Sequence, residues 1–484
     1  NMFEEIKINN EYKYYNGHEW KHSSVFEKIE IKSPVNSSIV GMIQNCNEEE
    51  LKEVVENLKK GQKIWASTTI DERANILKKA SQIMQTHTET ISDFLLKEIA
   101  KPKKEAVDEV IRSAQITRFT GETIRNLEGI YLESGVFYNT KNNKKCLVKH
   151  IPIGIVLGIA PYNYPVNLSC SKIAPALAGG NAIILKPPII GCISALHLVQ
   201  CFIKAGLPKG VIAVVSGDPK KIGDILAPHK DISAISFTGS TSTGKQIAKI
   251  AGIKKLIFEL GGKGSAIALN ECNIEKTAKE ITTGAFSYSG QRCTAIKRLF
   301  VQNKIADKLI LLLKQETRKL SVGWDPLINQ ITPLVGLKHA EFVEDLITDA
   351  KEKGAHVIMG GTRNGNLIEP TIIVKVSIDM KIASVEQFAP VLPITCFETL
   401  DEVIKLVNQS EYGLQSSVFT QDIDKAFYVA ERIQTGTMNI NCSPSRGPDN
   451  FPFLGIKNSG IGVAGIKESI LEMTKEKVIV IRTL

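Results

Sequence analysis

Short apolar runs alternate with helical segments along much of this chain. Four runs, at 153–159, 182–185, 212–215 and 234–237, have the length and composition of buried parallel strands. The helical stretches between them include 194–205, which ends at Gly206-Leu207-Pro208, a typical helix stop. This order predicts a doubly wound, parallel α/β sheet. A second α/β unit is predicted from Leu260 onward, with strands around Ile267, 296–301, Val357, 372–374 and Ile394.

The segments outside this pattern have other periodicities. Residues 48–126 are predicted to be helical, because apolar residues such as Leu51, Val54 and Leu58 recur at helical spacing. Aromatic residues within 12–20 flank Asn16-Gly17 and predict a hairpin. Residues 130–150 alternate like strands around a polar turn at 139–145, and 477–481 is another apolar strand. These strands can complete one sheet, within one chain or between two subunits.

Composition narrows the class of protein. At 484 residues and 43% hydrophobic, the chain is long enough for two or three domains. The net charge of +9 comes from 60 Lys and Arg against 51 Asp and Glu, and the short basic runs contain few aromatic residues. We therefore expect a solvated surface and no nucleic-acid partner.

Cysteine and histidine spacing argues against a disulfide framework and against a metal site. The nine scattered cysteines contain no C-x-x-C pair, which is typical of free thiols in a reducing compartment. The eight histidines show no metal-ligand spacing, so no metal is expected. The longest apolar run, around 151–160, is about half of a membrane span, and the amino terminus has no apolar signal core. These features predict a cytoplasmic protein without a membrane partner.

Three short motifs contain the groups that acyl transfer requires. Cys293 follows the small-residue turn Ser289-Gly290 and can serve as a thiol nucleophile. Glu259, in the segment FELGGK, can act as a general base, and the amide of Asn163, in PYNYP, can donate to an oxyanion. The structural alternatives are a buried thiol, a strand-end carboxylate and a turn-capping amide. The occurrence of all three, in order, favours the chemical interpretation.

A fourth motif, at 237–244, follows a predicted strand and opens a predicted helix. Backbone N–H groups and a helix N-terminus at such a place suit an anionic ligand. The motif is not G-x-G-x-x-G, so a plain strand-to-helix turn is an alternative. Lys186 directly follows another predicted strand, and no carboxylate stands at 187–189. A lysine without a neighbouring acid favours the 2′-phosphate of NADP over the 2′-hydroxyl of NAD. The residues expected to bind this cofactor here are Lys186, Thr238, Gly239, Ser240 and Gly244.

Together these motifs resemble those of the aldehyde dehydrogenase superfamily, over nearly the whole chain. ELGGK at 259–263 and GQRC at 290–293 are similar to its two signature segments, and YNYP at 162–165 is similar to its oxyanion segment. FTGS at 237–240 resembles its cofactor loop, and EQFAP at 386–390 resembles its E-x-F-G-P segment, with Ala389 in place of glycine. The resemblance implies that Cys293 forms a thiohemiacetal and then a thioester, and that Glu259 activates water for deacylation. It adds Glu386 and Phe388 to the cofactor site.

Within the superfamily, the chain most resembles the non-phosphorylating, NADP-dependent glyceraldehyde-3-phosphate dehydrogenases. The similar segments are PYNYPVNL at 161–168, KPP at 186–188, GQRCTA at 290–295 and RGPDNFPF at 446–453. One departure is Ile189, where the subfamily commonly has a hydroxyl residue, so NADP is expected with some use of NAD. The resemblance implies a small phosphorylated aldehyde as substrate and four ligands for its phosphate: Arg125, Tyr164, Arg292 and Arg446.

The resemblance also implies a domain organisation and an assembly. A Rossmann-type cofactor domain is expected at 1–129 and 152–256, and a second α/β catalytic domain at 257–447. A β-rich oligomerisation element is expected at 130–151 and 469–484, with 448–468 as a connecting segment, in a homotetramer built as a dimer of dimers.

Three alternatives to this function stay open at this stage. A cysteine hydrolase would need neither the motif at 237–244 nor Lys186. A binding or scaffold protein would not need all of Cys293, Glu259 and Asn163. A dehydrogenase for another small aldehyde, such as lactaldehyde or succinate semialdehyde, would not need the phosphate ligands.

Overall fold

The fold is known from a computed structural model, which describes residues 1–136 and 143–482. It is built on two large, mostly parallel sheets with helices on their faces. Most of the polar turn predicted at 139–145 falls outside the described residues. The model thus has the two α/β units that the strand and helix pattern predicts.

The amino-terminal segment forms a small sheet and a hairpin. The turn of the hairpin is at Gly17, whose φ of 99° is a conformation that glycine adopts without steric cost. Its strands, Tyr14–Tyr15 and Trp20–Lys21, pair antiparallel, which confirms the predicted hairpin. A 3-10 helix, Met2–Ile6, precedes the strands of the small sheet, which are Lys7–Ile8, Glu11–Tyr12, Ile29–Lys32 and Ile39–Ile43.

Four consecutive helices follow, as the periodicity predicts. Capping boxes start the first two, formed by Asn47 with Glu50 and by Thr69 with Glu72. Leu51, among the apolar residues of the first helix, is completely buried. The four helices are Glu48–Ala66, Ile70–Thr86, Thr88–Ile99 and Lys103–Ile124.

The first large sheet has eight strands, of which five are parallel neighbours. The chain leaves Ile155–Ile159 in one direction across the sheet and later returns to its other side with Ile232–Thr238. Ligands of doubly wound folds bind where the strand order reverses in this way. In spatial order the strands are Gly460–Ile461, Lys255–Glu259, Ile232–Thr238, Ile155–Ile159, Ala182–Lys186, Ile212–Val214, Tyr14–Tyr15 and Trp20–Lys21; the intervening helices are Asn167–Ala178, Cys192–Lys204, Pro219–Leu226 and Thr241–Ile250.

The second large sheet has seven strands, and its central strands are again parallel. In spatial order they are His356–Met359, Thr371–Val374, Val391–Phe397, Arg298–Gln302, Ser265–Ala268, Gln415–Phe419 and Thr437–Ile440. Its helices are Ile274–Phe286, Ala306–Thr317, Leu337–Glu352, Lys381–Ser384, Leu400–Asn408 and Ile423–Arg432. Smaller elements are the 3-10 turns Ser134–Val136, Ser287–Gly290 and Asn303–Ile305, and the strand pairs Arg363–Asn364 with Leu367–Ile368 and Tyr412–Gly413 with Ile456–Lys457.

A three-stranded sheet stands apart from both. The carboxyl-terminal strand Thr474–Arg482, which follows helix Ile466–Glu472, pairs antiparallel with the whole of Lys144–Pro152, and Ile130–Glu133 pairs with the other edge of that strand. Of the two pairings that the sequence allows, the structure has the one within a single chain. Several apolar side chains of this sheet are exposed, Val480 by 59%.

Residues 448–468 hydrogen bond to elements on both sides. Strand Ile456–Lys457 pairs with Tyr412–Gly413, which precedes a strand of the second sheet, and Gly460–Ile461 forms an edge of the first sheet. The domain boundaries stay a prediction.

Candidate active site

Cys293 lies at the end of a tight turn that follows helix Ile274–Phe286. Tyr288 and Ser289 have φ values of 51° and 53°, and Gly290 has 69°. A Cβ at Gly290 would lie 2.3 Å from the carbonyl oxygen of Ala389, so only glycine fits this close approach. The Ser289 hydroxyl anchors the turn by donating to the carbonyl of Thr332 at 2.9 Å. Because these constraints fix the turn, the position of the cysteine is fixed too.

The thiol lies in a largely apolar place with charges around it. It packs against Leu414, Phe453 and Ala464. Burial raises the pKa of Cys293, and the positive charge of Lys297, whose Nζ donates to the Cys293 carbonyl at 2.7 Å, opposes the rise. Because its pKa is raised, the thiol is protonated at neutral pH, and it must lose this proton before it can attack.

Glu259 is the last residue of strand Lys255–Glu259 and forms an ion pair with Arg446. The hydroxyl of Thr238, at the end of the neighbouring strand, donates to the same carboxylate oxygen at 3.3 Å. Lys172 in turn donates to the Thr238 hydroxyl at 2.7 Å. Burial opposes ionisation of Glu259, but the charges of Arg446 and Lys172 outweigh it, so the pKa of the carboxyl is lowered. Glu259 is therefore an anion at neutral pH.

Asn163 is 4% exposed, and its amide is held in place. Its Nδ2 donates one hydrogen bond to the carbonyl of Gln291 at 2.9 Å, two residues before Cys293. An amide nitrogen has two N–H groups, so the second N–H can serve a ligand beside the thiol. The structure thus brings the amide to the turn of the nucleophile, as the oxyanion role requires.

The side chains on the substrate side include donors without partners. Arg292 donates from Nη2 to the carbonyl of Gly284 at 2.6 Å, but its Nε is buried with no partner in residues 1–136 and 143–482. In the same part of the chain, the hydroxyl of Tyr288 and the Nε2 of Gln291 are also buried without a partner. Unsatisfied buried donors are rare in folded proteins and indicate a ligand or water site.

Arg112 was not predicted from the sequence, yet the structure places it beside Arg446. Its guanidinium binds Asp449 through two hydrogen bonds, with Nε 2.7 Å and Nη2 2.6 Å from the carboxylate, and Nη2 also donates to the carbonyl of Arg446. Burial raises the pKa of the Tyr164 phenol to about 12, and the positive charges of Arg292 and Arg112 oppose this rise. Arg112 and Arg292 thus both act on Tyr164, and Arg112 also holds the backbone of Arg446.

Arg125 is the one predicted ligand that the structure does not bring to these residues. It ends helix Lys103–Ile124, is 41% exposed, and pairs with Asp71 and Asn75 of the helix Ile70–Thr86. Arg112 lies more than three turns earlier on the same helix, about 20 Å away along its axis. The structure therefore places Arg112 of this helix, and not Arg125, beside Arg446.

The predicted cofactor loop lies at the reversal point of the first sheet. Thr238 ends strand Ile232–Thr238, and Ser240 caps the helix Thr241–Ile250 by accepting from the backbone N–H of Thr243 at 3.3 Å. A Cβ at Gly244 would lie 2.6 Å from a methyl group of Leu260, and one at Gly239 would lie 2.6 Å from the ring of Phe237. The glycines let the helix start close to the neighbouring strand, which leaves its N-terminus open for a phosphate.

Lys186 ends the strand Ala182–Lys186 at the same edge of the sheet. Lys186 is 6% exposed, and burial lowers its pKa to about 8. A largely buried ammonium is costly unless an anion pairs with it, so this residue fits an anionic cofactor group.

Glu386 and Phe388 reach the site from the second sheet. The Glu386 carboxylate accepts from the backbone N–H of Gly262 and from Lys297, both at 3.1 Å. The ring of Phe388 stands edge-on to Tyr162 with centroids 6.2 Å apart. Lys263, the last residue of the segment ELGGK, donates to the carbonyl of Val385 and to the side chain of Gln387, so it joins these two segments.

A cavity of about 250 Å³ adjoins the site at Arg446. Arg446 and Asp449 form part of its wall, with Ile116 of helix Lys103–Ile124 and Ser171 of helix Asn167–Ala178. Cys293 does not line it. A molecule in this cavity would thus meet the arginine before the thiol.

Sequence reasoning missed Lys172 and Arg112, and each left a trace. Lys172 is the single charged residue of the otherwise apolar and small-residue helix Asn167–Ala178, where it is 3% exposed. A lone charge in an apolar helix is rarely buried unless it is paired. Arg112 follows Glu109 by one helical turn, on the border of the buried face.

Residues 1–136 and 143–482 contain neither a candidate membrane span nor a candidate metal site. No helix there is both long enough and apolar enough to span a bilayer. No group of three or more His, Cys, Asp or Glu side chains is arranged to hold a metal ion.

Comparison with known proteins identifies the family of the chain. Residues 20–479 match the model of the aldehyde dehydrogenase family. A relative from Pisum sativum, an NADP-dependent glyceraldehyde-3-phosphate dehydrogenase, is 46% identical over 97% of this chain and 95% of its own length. An enzyme of the same name from Streptococcus equinus is 45% identical over 96% of this chain and 98% of its own.

A solved structure gives the same result for the fold. The crystal structure of an NADP-dependent glyceraldehyde-3-phosphate dehydrogenase from Bacillus halodurans C-125, complexed with NADP, superimposes with a TM-score of 0.96. It is 43% identical, and the match covers 98% of this chain and 100% of that one. The chain belongs to the aldehyde dehydrogenase family.

Proposed function

We propose that this chain oxidises D-glyceraldehyde 3-phosphate to 3-phosphoglycerate with NADP and without inorganic phosphate. The observation that carries the proposal is the position of Arg446: it contacts Glu259, the predicted base, and lines a cavity of about 250 Å³. Arg112 donates to the backbone carbonyl of Arg446, and Arg292 directly precedes Cys293 in the chain. Guanidinium groups bind phosphate oxygens through paired, charge-assisted hydrogen bonds. The relatives named above support the same substrate and cofactor.

In the first step, the Cys293 thiolate attacks the aldehyde carbon and forms a thiohemiacetal. The carbonyl oxygen becomes an oxyanion, which accepts from the free N–H of Asn163 and from the backbone N–H of Cys293. In comparable sites, removal of one such donor costs roughly 3–4 kcal/mol of transition-state stabilisation. The other amide hydrogen of Asn163 is already donated to the carbonyl of Gln291, so the side chain is oriented before the substrate arrives.

The residues that would hold NADP lie at the edge of the first sheet: Lys186 would bind the 2′-phosphate, and the N-terminus of the helix Thr241–Ile250 would bind the pyrophosphate. The bound cofactor would supply the acceptor for the hydride that leaves the former aldehyde carbon. Glu386 and Phe388 would hold the nicotinamide end. Ile189 offers no hydroxyl to the 2′-phosphate, so some use of NAD is expected.

In the last step, Glu259 removes a proton from the water that attacks the thioester. The carboxylate is ionised for this role, but it is occupied by Arg446 in the structure. A substrate phosphate competes for the same guanidinium, so binding of the substrate would release the carboxylate. Lys172 and Thr238 would keep it oriented once Arg446 has moved.

The experiment that tests this function is a substrate panel without inorganic phosphate. Reduction of NADP would be followed by absorbance with D-glyceraldehyde 3-phosphate, glyceraldehyde, lactaldehyde and succinate semialdehyde, and then repeated with NAD. The proposal expects the highest kcat/KM for the phosphorylated aldehyde with NADP. Equal values for glyceraldehyde and its phosphate would contradict the substrate assignment. Absence of NADP reduction with every aldehyde, together with hydrolysis of an ester or amide, would favour the hydrolase alternative.

We further propose that a second copy of the chain covers the exposed apolar face of the sheet formed by Ile130–Glu133, Lys144–Pro152 and Thr474–Arg482. The assembly expected is a homotetramer, a dimer of dimers. The cytoplasm is the expected compartment, because all nine cysteines are unpaired. Sedimentation velocity would test the assembly, and a monomer at micromolar concentration would contradict it.

A further inference from the structure

A buried charged pair, Lys101 with Glu109, contacts the oxyanion loop, which runs from Pro161 to Asn167. Lys101 stands between the helices Thr88–Ile99 and Lys103–Ile124, directly after Ala100, whose φ is 51°. Both side chains are 0% exposed and form an ion pair. The function proposed above assigns no role to either residue.

Lys101 contacts Asn163 and Tyr164, the two residues of the oxyanion loop whose side chains are the donors. Its Nζ donates to the backbone carbonyl of Asn163 at 2.7 Å. The same ammonium lies 3.5 Å from the centroid of the Tyr164 ring and 4.6 Å from that of Tyr288. The cation thus fixes the peptide that joins Asn163 to Tyr164 and the face of the Tyr164 ring.

Glu109 holds the far end of the same loop. Its Oε1 accepts from the backbone N–H of Val166 at 2.9 Å and of Asn167 at 3.0 Å. Asn167 is the first residue of the helix Asn167–Ala178, so the carboxylate also lies at a helix N-terminus, where negative charge is favourable. The pair therefore anchors the loop at both ends, through one carbonyl and two amides.

A buried ion pair is a costly way to fill space, because apolar side chains of the same volume avoid the desolvation of two charges. Apolar side chains, however, cannot hold a carbonyl and two N–H groups at set positions. Catalytic donors must be held to within about 0.5 Å of their productive position. The three hydrogen bonds of this pair supply fixed contacts of that kind.

We propose that Lys101 and Glu109 are positioning residues for the reaction: they hold the Asn163 amide and the Tyr164 phenol where the oxyanion and the substrate need them. The proposal rests on the dehydrogenase function proposed above, but not on the identity of the aldehyde. Any aldehyde that Cys293 attacks forms the same oxyanion, so the test can use whichever substrate the panel identifies.

The test is a double-mutant cycle between Lys101→Met and Asn163→Ala. The measured quantity is the pre-steady-state rate of NADPH formation at saturating NADP and aldehyde. Asn163→Ala should lower this rate by about 10²–10³-fold. Methionine keeps the length of the lysine stem but not its charge, and Lys101→Met should lower the rate by at least tenfold. Since Lys101 acts through Asn163, the double variant should lose no more than Asn163→Ala alone.

Additive losses in the cycle would overturn the proposal, because a residue that only stabilises the fold would act independently of Asn163. The affinity for NADP should stay within twofold of wild type in both single variants, since neither residue contacts the loop at Thr238–Gly244. A loss of NADP affinity as large as the loss of rate would also overturn it.

If Lys101→Met does not fold, Glu109→Gln takes its place in the same cycle. Its matched control is Glu50→Gln, which alters another buried carboxylate that accepts from two backbone N–H groups, those of Ser24 and Asn47, outside the site. Glu109→Gln should slow NADPH formation at least tenfold, again without further loss in combination with Asn163→Ala, while Glu50→Gln should stay within twofold of wild type. Equal losses in both variants would overturn the proposal. An inactive wild-type chain would overturn the proposed function and the positioning roles with it, whereas an active wild type with additive losses overturns the positioning roles alone.

Discussion

Two loops bring side chains to Cys293, and they are held in different ways. The loop from Pro161 to Asn167 is mostly buried and is anchored by Lys101 and Glu109. The segment from Cys442 to Phe453 is mostly exposed, and its Arg446 is held by contacts with Glu259 and Arg112. The first loop presents a neutral amide and a phenol, whereas the second presents a guanidinium.

The difference separates two tasks. Donors that stabilise a transition state must be preorganised, because any movement during the reaction costs rate. A group that binds the distant phosphate can move, because its contact contributes to the free energy of substrate binding and not to selective stabilisation of the transition state. Changes around the buried loop should therefore lower kcat, and changes in the exposed segment should raise KM. The variants below test this division.

The largest effect is expected for the nucleophile itself. Cys293→Ala should lower turnover by about 10⁴-fold or more, because the turn contains no other thiol. Folding and NADP affinity should stay near wild type, since one sulfur atom is removed from a partly exposed position. Steady-state NADPH formation and calorimetric NADP binding measure the two. Cys272→Ala, at a similarly exposed thiol elsewhere, is the control and should retain full activity.

Glu259→Gln should separate the two halves of the reaction. Hydride transfer does not need the base, but hydrolysis of the thioester does, so one equivalent of NADPH should form rapidly before very slow turnover. A general base contributes about 10²–10⁴-fold, and the steady-state rate should fall by that factor. Stopped-flow absorbance measures both phases. A burst that falls as much as the steady state would mean that Glu259 has another role.

Arg446→Ala tests the exposed segment directly. Loss of a charge-assisted contact of about 1.5–3 kcal/mol should raise KM for the phosphorylated aldehyde roughly 10–150-fold. The kcat should change far less, and KM for unphosphorylated glyceraldehyde should be almost unaffected. A fall in kcat with unchanged KM would break the division of tasks between the two loops.

The same variant should also change the pH profile. Burial works against ionisation of Glu259, and the positive charge of Arg446 is the strongest factor that lowers the pKa of this carboxyl. Without Arg446 the pKa rises, so the ionised base is lost at a higher pH. The acid limb of deacylation, measured with glyceraldehyde, should therefore move to higher pH in Arg446→Ala. No movement would mean that the ion pair is absent in solution.

Lys186→Ala concerns a third buried anchor, at the cofactor edge. Affinity for NADP should fall about tenfold or more, from the loss of one charged hydrogen bond, while affinity for NAD should change little. Burial lowers the pKa of Lys186 to about 8, and phosphate binding favours its charged form. In the wild type, NADP affinity should therefore decline above about pH 8, and NAD affinity should not. Equal weakening of both cofactors would contradict the assignment.

Much of this molecule could be predicted from local sequence. Strands such as Ala182–Lys186 and Ile232–Thr238 have continuous apolar runs, and glycines at 239, 244 and 290 stand where a side chain would collide with a neighbour. The motifs around Cys293, Glu259 and Asn163 are short, so the residues within each motif lie close together in any fold, and each motif can be recognised from local sequence.

Interactions between distant segments could not be predicted in the same way. Lys101 lies 62 positions before Asn163, and Arg112 lies 337 before Asp449, so no local pattern links them. For the same reason the sequence pointed to Arg125 and not to Arg112. Both arginines belong to one helix, and only the packing of that helix decides which of them faces the site.

The smallest effect is expected for Arg125→Ala, and its value lies in a direct comparison with Arg112→Ala. Arg125 is 41% exposed and pairs with Asp71, an arrangement that contributes at most about 1 kcal/mol to stability. KM and kcat for the phosphorylated aldehyde should stay within about twofold of wild type. Arg112→Ala, in the same helix, should instead raise KM severalfold or more, because it releases both Asp449 and the carbonyl of Arg446 and so loosens the exposed segment that carries the phosphate ligand. Steady-state kinetics of the two variants side by side measure the difference. An increase in KM for Arg125→Ala as large as that for Arg112→Ala would mean that the helix turns or shifts when substrate binds, and would restore the assignment made from sequence.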